Sequence, residues 1–197
     1  MVTRPKETNG PLENMATHYR VFVDCDRTLV NTDLSSLISP RWFDKRPKFF
    51  TQGKLVLTEA RPSAHAFLAA LKSTYSVSIL TLGHSKFQAK VLKELGLLSY
   101  VESIYGPDNW QELTKPDGFV LIDDMSADSI GIAYKMRWLG RQRSLENLDA
   151  WDSMVNFHLI QCAPFMGGKT DQTPLTEHLD DVHERMKAQM NGSLPAT

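Results

Sequence analysis

Residues 19–32, YRVFVDCDRTLVNT, constrain the fold more than any other stretch, because an apolar run ends there in two aspartates spaced two apart. Apart from Arg20, Tyr19 to Val23 are β-branched or aromatic, which predicts a short buried strand with Asp24 at its carboxyl end. In an open α/β sheet the ligand crevice lies just beyond the carboxyl ends of the strands, so Asp24 and Asp26 are expected to project into it. Residues i and i+2 share one side of an extended chain, and Cys25 between them points the other way. Two carboxylates this close repel unless a cation or a shared proton relieves them. Mg²⁺ answers the difficulty, since it binds through one or two carboxylates together with waters and substrate phosphate oxygens.

The design recurs at residues 119–124, FVLIDD, where four apolar residues run straight into Asp123 and Asp124, as a strand covered on both faces should read. Residues 75–81 (YSVSILT), 100–105 and 157–162 (FHLIQC) supply three more strand signals. Between them, Arg61-Pro62-Ser63 opens a helix with Ser63 as N-cap and Phe67, Leu68 and Leu71 on one face. A second helix spans residues 85–95 and stops at Gly96, and a third runs from Ser126 to Leu139 and stops at Gly140. Thr173-Pro174 begins a last helix to about Met190, with Leu175, Leu179, Val182 and Met186 on one stripe. Strands separated by helices predict an α/β fold, a Rossmann-like doubly wound sheet of about five parallel strands with flanking helices. Residues 49–60 (FFTQGKLVLTEA) carry two β-prone runs around Gln52-Gly53, a small β-hairpin flap too short to be a full cap domain. Residues 1–17 read as a flexible arm, residues 18–197 as a single domain, and residues 31–60 as its flap insertion.

The net charge of −1 gives no global attraction to nucleic acid or membrane, so an anionic ligand must be held by local groups. No apolar run approaches the roughly 18 residues of a membrane span, and residues 1–17 lack the apolar centre of a signal peptide. A cytoplasmic protein is expected. Cys25 and Cys162, both inside apolar runs, read as small buried hydrophobes rather than a disulfide framework.

The motif VFVDCDRTLV resembles the first motif of the haloacid dehalogenase superfamily of phosphatases, a hydrophobic strand followed by D-x-D-x-T-[LV]. Thr81 after the second strand, Lys115 before the fourth, and Asp123 and Asp124 after it match the family's further motifs in the family's chain order. The layout from the flap through Arg61-Pro62, helix, strand and Thr81 looks like the capless branch that includes carboxy-terminal-domain protein phosphatases. The resemblance implies a Mg²⁺-dependent phosphatase that hydrolyses a phosphomonoester through an aspartyl-phosphate. Asp24 would be the nucleophile, and Asp26 the group that protonates the leaving oxygen and then takes the proton from water. Thr81 would bind phosphate with backbone N–H groups of Leu82 and Gly83, and Lys115 would place a cation beside it. Asp24, the Asp26 backbone carbonyl, Asp123 and Asp124 would form the Mg²⁺ site, with Asp128 orienting them or standing as an exposed helix residue.

Several readings stay open. Lys86 and Lys90 follow the second strand and compete with Lys115, while Arg27 and His84 either touch substrate or are structural. The basic residues Lys135, Arg137, Arg141 and Arg143 suit a polynucleotide end or simply a helix terminus. The phosphorylated substrate is thus a nucleotide, a polynucleotide end or a phosphoprotein. A phospho-receiver domain places its acidic pair before the phospho-accepting aspartate, the reverse of the order here, and a carbon-halogen hydrolase needs no Mg²⁺ carboxylates. A non-catalytic phospho-ligand binding module on the same fold is the competitor from outside enzymology, although none of Asp24, Asp26 and Asp124 is missing.

Overall fold

The computed structural model describes residues 19–35, 48–51, 54–113, 118–130 and 159–192. Its strands in chain order are β1 (Tyr19–Val23), β2 (Val30–Ser35), β3 (Lys48–Thr51), β4 (Lys54–Ala60), β5 (Ser76–Leu80), β6 (Ser103–Tyr105), β7 (Gly118–Asp123) and β8 (Leu159–Gln161). The helices are α1 (Ala64–Lys72), α2 (Ser85–Glu94) and α3 (Leu179–Met190). Five strands form one sheet in the order β6-β5-β1-β7-β8, and every pairing in it is parallel. The apolar run at 19–23 is therefore the central strand, which is why it carries no polar face.

Register is set by β1, whose Val21 lies opposite both Val77 and Val120, and whose Val23 lies opposite Ile79 and Ile122. Alternate residues serve opposite layers. Val21 and Val23 join Val77, Ile79, Val120 and Ile122 under Phe67, Leu68 and Leu71 of α1, Val91 and Leu92 of α2, and Val182 and Met186 of α3. Phe22, Leu80, Phe119 and Leu121 face the other side with Tyr105, Trp110 and Ile130. There the Phe22 ring meets Tyr105 and Phe119 edge-on, at centroid distances of 6.3 and 5.9 Å. Arg20, the one charge in the first strand, lays its guanidinium 5.9 Å from the Tyr105 ring centroid and donates to the Tyr105 hydroxyl at 3.0 Å.

The flap is a separate antiparallel sheet in the order β2-β4-β3. The hairpin expected from residues 49–60 is there as β3 and β4, but β2 (VNTDLS) is a strand that its weak periodicity did not announce. Pairing along its whole length with β4, from Val30 opposite Ala60 to Ser35 opposite Leu55, overrides the poor β-propensity of Asn31 and Asp33. Two further expectations need correction. The strand expected over 100–105 begins only at Ser103, because residues Leu98–Tyr100 form a 3₁₀ turn. The last helix likewise opens with a 3₁₀ turn, Leu175–His178, before α3. Residues 1–17, the Gln52-Gly53 turn, residues 157–158 and the helix beyond Ile130 lie outside the described residues. No helix of the described residues is long and apolar enough to cross a membrane.

Ser63 precedes α1 as expected, yet its hydroxyl makes no cap bond. It donates instead to Asp171 and accepts from the Leu175 N–H at 2.9 Å. Arg61 explains the choice. Its side chain is only 1% exposed, and its Nε bonds both Asp171 oxygens at 3.0 and 3.1 Å. Its Nη1 donates to the Ala163 carbonyl at 3.0 Å and the Thr28 carbonyl at 3.3 Å, and its Nη2 to Thr173 Oγ1 at 3.0 Å. One guanidinium thus joins the turn after β1, the start of α1 and the segment after β8. Arg61→Ala should lower stability by about 3–5 kcal/mol, because it strands a buried carboxylate and several carbonyls. Urea denaturation followed by circular dichroism reads this as a lower midpoint; a shift below about 1 kcal/mol would show the clamp to be incidental.

Candidate active site

The in-register ends of β1 and β7 bring the two acidic pairs together: the Asp24 N–H donates to the Ile122 carbonyl at 2.8 Å, so Asp24 leaves the sheet beside Asp123. Asp24, Asp123 and Asp124 each offer a carboxylate oxygen, and these oxygens all lie within 4.8 Å of one another. The chain turns back immediately. Leu29 and Val30 N–H groups both donate to the Cys25 carbonyl, at 3.0 and 3.1 Å, and Arg27 takes the left-handed φ of 67°. A side chain in that region costs roughly 1–2 kcal/mol, so the position is held from both sides. The Arg27 N–H donates to Val30, and its carbonyl accepts from the Phe165 N–H.

The cleft over these residues holds about 210 Å³ and is lined by Asp24, Asp26, Arg27, Thr81, Leu82, Gly83, Asp123, Asp124 and Met125. Its electrostatics follow from burial. Asp24 is held well above the usual carboxylate range by desolvation first, then by the charges of Asp123 and Asp26. Asp123 is pushed up to about 7 by burial, against the bond from the Met125 N–H at 2.8 Å and with help from the Asp124 charge. Burial also raises Asp124, offset by the Arg27 charge, and raises Asp26, opposed by a hydrogen bond from Gln88. A cluster of hard oxygen donors that burial and mutual repulsion keep from ionising together is a donor set suited to a divalent cation, and Mg²⁺ fits it.

Thr81 is buried at the end of β5, where its N–H donates to the Tyr105 carbonyl at 2.9 Å. Its Oγ1 accepts from the Gly83 N–H at 3.1 Å, so that N–H is already engaged within the turn. The turn is packed against Gly106, where an added Cβ would collide with the Gly83 carbonyl and lie 2.8 Å from the Ser85 nitrogen. Asp108 anchors the same turn from outside, its two oxygens accepting from the Ser85 N–H and hydroxyl at 2.8 Å each. His84 leans toward Asp108, its Nδ1 3.8 Å away, and is not among the residues lining the cleft.

Of the expected site residues, Asp24, Asp26, Thr81, Leu82, Gly83, Asp123 and Asp124 line one cleft. The Asp26 carboxyl stands apart from the three-carboxylate cluster. Lys115 lies outside the described residues, as do Lys135, Arg137, Arg141 and Arg143. Lys86 and Lys90 are exposed on α2, and Asp128 is exposed at the start of a helical turn over residues 127–130. Burial raises the thiol pKa of Cys25 well above its ordinary value and that of Cys162 to about 11, so neither is a ready nucleophile. Sequence reasoning missed Gln88 and Asp108. For Gln88 a signal existed: it sits three and four positions before the buried Val91 and Leu92, an amide on the apolar stripe of α2.

Acidic pairs at the carboxyl ends of adjacent strands, a hydroxyl at the end of the next strand and a β-flap beside the sheet agree with the haloacid dehalogenase-like phosphatase class that the sequence resembles. Within it, the chain belongs to the NLI interacting factor-like phosphatase family, whose model matches residues 19–125. No curated protein sequence matches the chain significantly. Among solved structures it is similar to the RNA polymerase II CTD phosphatase Fcp1, at 16% identity and a TM-score of 0.48 over 92% of this chain and 52% of that one. A fission yeast Fcp1 variant bound to beryllium fluoride gives 15% identity and a TM-score of 0.45, over 92% and 54%. A haloacid dehalogenase-like hydrolase from Streptococcus pneumoniae gives 14% and 0.38, over 67% of this chain and 97% of that one. The chain thus spans about half the length of the Fcp1 structures.

A carboxyl whose pKa is raised in the folded state binds more protons there than in the unfolded chain, so stability falls as pH climbs from the unfolded value toward the folded one. For Asp123 that window runs from 3.8 to about 7. In excess chelator the melting temperature should therefore decline between about pH 4 and pH 7, and Asp24→Asn should flatten the decline by removing one of the repelling charges. An Asp24→Asn protein with the same pH slope as wild type would contradict this.

Proposed function

We propose that this protein is a Mg²⁺-dependent phosphatase that hydrolyses a phosphomonoester through an aspartyl-phosphate on Asp24. The observation that carries the reading is the convergence of the Asp24, Asp123 and Asp124 carboxylates within 4.8 Å, beside Asp26 and the Thr81 turn. Asp24, Asp123 and Asp124, with the Asp26 backbone carbonyl, would hold Mg²⁺. Once bound, the ion would neutralise the carboxylates and the charge of the transferring phosphoryl group.

The chain's own residues account for the rest. Asp24 attacks phosphorus in line, and the bond from phosphorus to the leaving oxygen breaks with its electron pair going to that oxygen. Asp26 gives that oxygen a proton and recovers one from the water that later cleaves the aspartyl-phosphate. The Thr81 turn and Lys115 bind the phosphate oxygens, and Arg27, on the cleft wall, offsets the carboxylate charge. A cleft of about 210 Å³ among the described residues is smaller than the roughly 300–1,000 Å³ of pockets that enclose a whole small molecule, which leaves part of the substrate outside it. That favours a phosphate presented on a larger molecule, a phosphoprotein first, with a nucleotide or a polynucleotide end as the alternative. A non-catalytic module would bind such a ligand without turnover.

Activity should require Mg²⁺, vanish in excess chelator and be suppressed by Ca²⁺, which prefers more ligands at longer distance. Undiminished turnover in chelator would overturn the metal assignment. Asp24→Asn should abolish hydrolysis of every substrate while the protein remains folded by circular dichroism. Asp26→Asn should lower kcat/KM for an alkyl phosphate by about 10²–10⁴-fold yet leave kcat/KM for an activated aryl phosphate, whose leaving oxygen needs no proton, far less affected. Equal losses on both substrates would assign Asp26 to the fold or the metal instead.

A further inference from the structure

Gln88 is fully buried on α2, at a position whose stripe-mates Val91 and Leu92 are core side chains. A buried amide is costly unless it is bonded, and a methionine or leucine would fill the same place without that cost. The amide is only half satisfied. Its Nε2 donates to Asp26 Oδ2, while its Oε1 is buried with no hydrogen-bond partner among the described residues. It is also confined, because a Cβ on Gly83 would stand 2.5 Å from Nε2. The Gln88 side chain is thereby wedged between the Thr81 turn and Asp26, and its one hydrogen bond runs to a residue lining the cleft. Packing does not ask for this amide; Asp26 does.

We infer that Gln88 is a positioning residue, which fixes the Asp26 carboxyl so that Oδ2 is held on the α2 side and Oδ1 is left for the cleft. The inference rests on the reading of Asp26 as the proton donor. In that step the proton on Asp26 Oδ1 passes to the leaving oxygen as the phosphorus–oxygen bond breaks and its electron pair moves onto that oxygen. Thr32 is the other side chain set against Asp26, and an aspartate that loses the stronger of two partners distributes among more rotamers, only one of which points Oδ1 at the leaving group. Gln88 acts through Asp26 alone and touches neither substrate nor phosphate.

The test is Gln88→Met, which keeps the length and apolar bulk but not the donor, assayed with one alkyl and one activated aryl phosphate in Mg²⁺. Gln88→Leu serves as a second replacement, and both should fold, since each removes a partnerless buried oxygen. On the alkyl substrate kcat/KM should drop about 10-fold or more, mainly through kcat, and on the aryl substrate by about twofold at most. Placed in an Asp26→Asn background, Gln88→Met should cause no further loss on the alkyl substrate, as two residues acting as one unit require. Equal losses on the two substrates, or losses that multiply in the double variant, would overturn the role. Failure of the underlying reading looks different, because then Asp26→Asn would itself slow the alkyl and aryl substrates equally, and this role would fall with it.

Discussion

The arrangement depends on one electrostatic constraint, the confinement of the Asp24, Asp123 and Asp124 carboxylates in a largely buried cleft. Parallel pairing of β1 with β7, in the register that sets Val23 opposite Ile122, makes that confinement unavoidable. Once both strands stop at the same level, their next side chains share the crevice beyond the sheet. Water cannot screen them well there, so their charges are expensive until protons or a divalent cation offset them. The upward push on Asp24 and Asp123 expresses that cost, and the same cost is what would make binding of a cation favourable.

A site that opposes folding needs a frame that favours it. Apolar layers on both faces of β1 supply most of this frame, and Arg61 supplies a polar part by joining the turn after β1 to the segment after β8. The same segment supports the left-handed Arg27 through the Phe165 N–H. Asp108 and Gly106 hold the Thr81 turn from the opposite side of the cleft. The strained or charged positions therefore each lean on a rigid neighbour contributed by a distant part of the chain.

Those distances in sequence separate what could be read from residues alone from what could not. β1 and β7 were legible because burial on both faces of a central strand leaves a nearly unbroken apolar run, and the acidic pairs were legible because they follow those runs directly. β2 was not, since its strand character comes from β4 some 25 residues later rather than from its own Asn31 and Asp33. Ser63 looked like a helix cap from its neighbours, but Asp171, over a hundred positions away, claims its hydroxyl. Gln88 carried a local signal, an amide on an apolar stripe, whose meaning only its contact with Asp26 reveals. Asp108 carried none, because capping α2 from another loop leaves no spacing to find.

The most direct test of the central claim is to locate the phosphoryl group during turnover. The protein carrying Asp26→Asn would be mixed with an activated aryl phosphate and Mg²⁺, quenched in acid within the first turnovers, digested and examined by mass spectrometry. With water activation slowed, one phosphoryl group should accumulate on the peptide containing Asp24, and it should be absent when Asp24→Asn is added. Continued release of phosphate with no labelled Asp24, or a label on any other residue, would contradict the account.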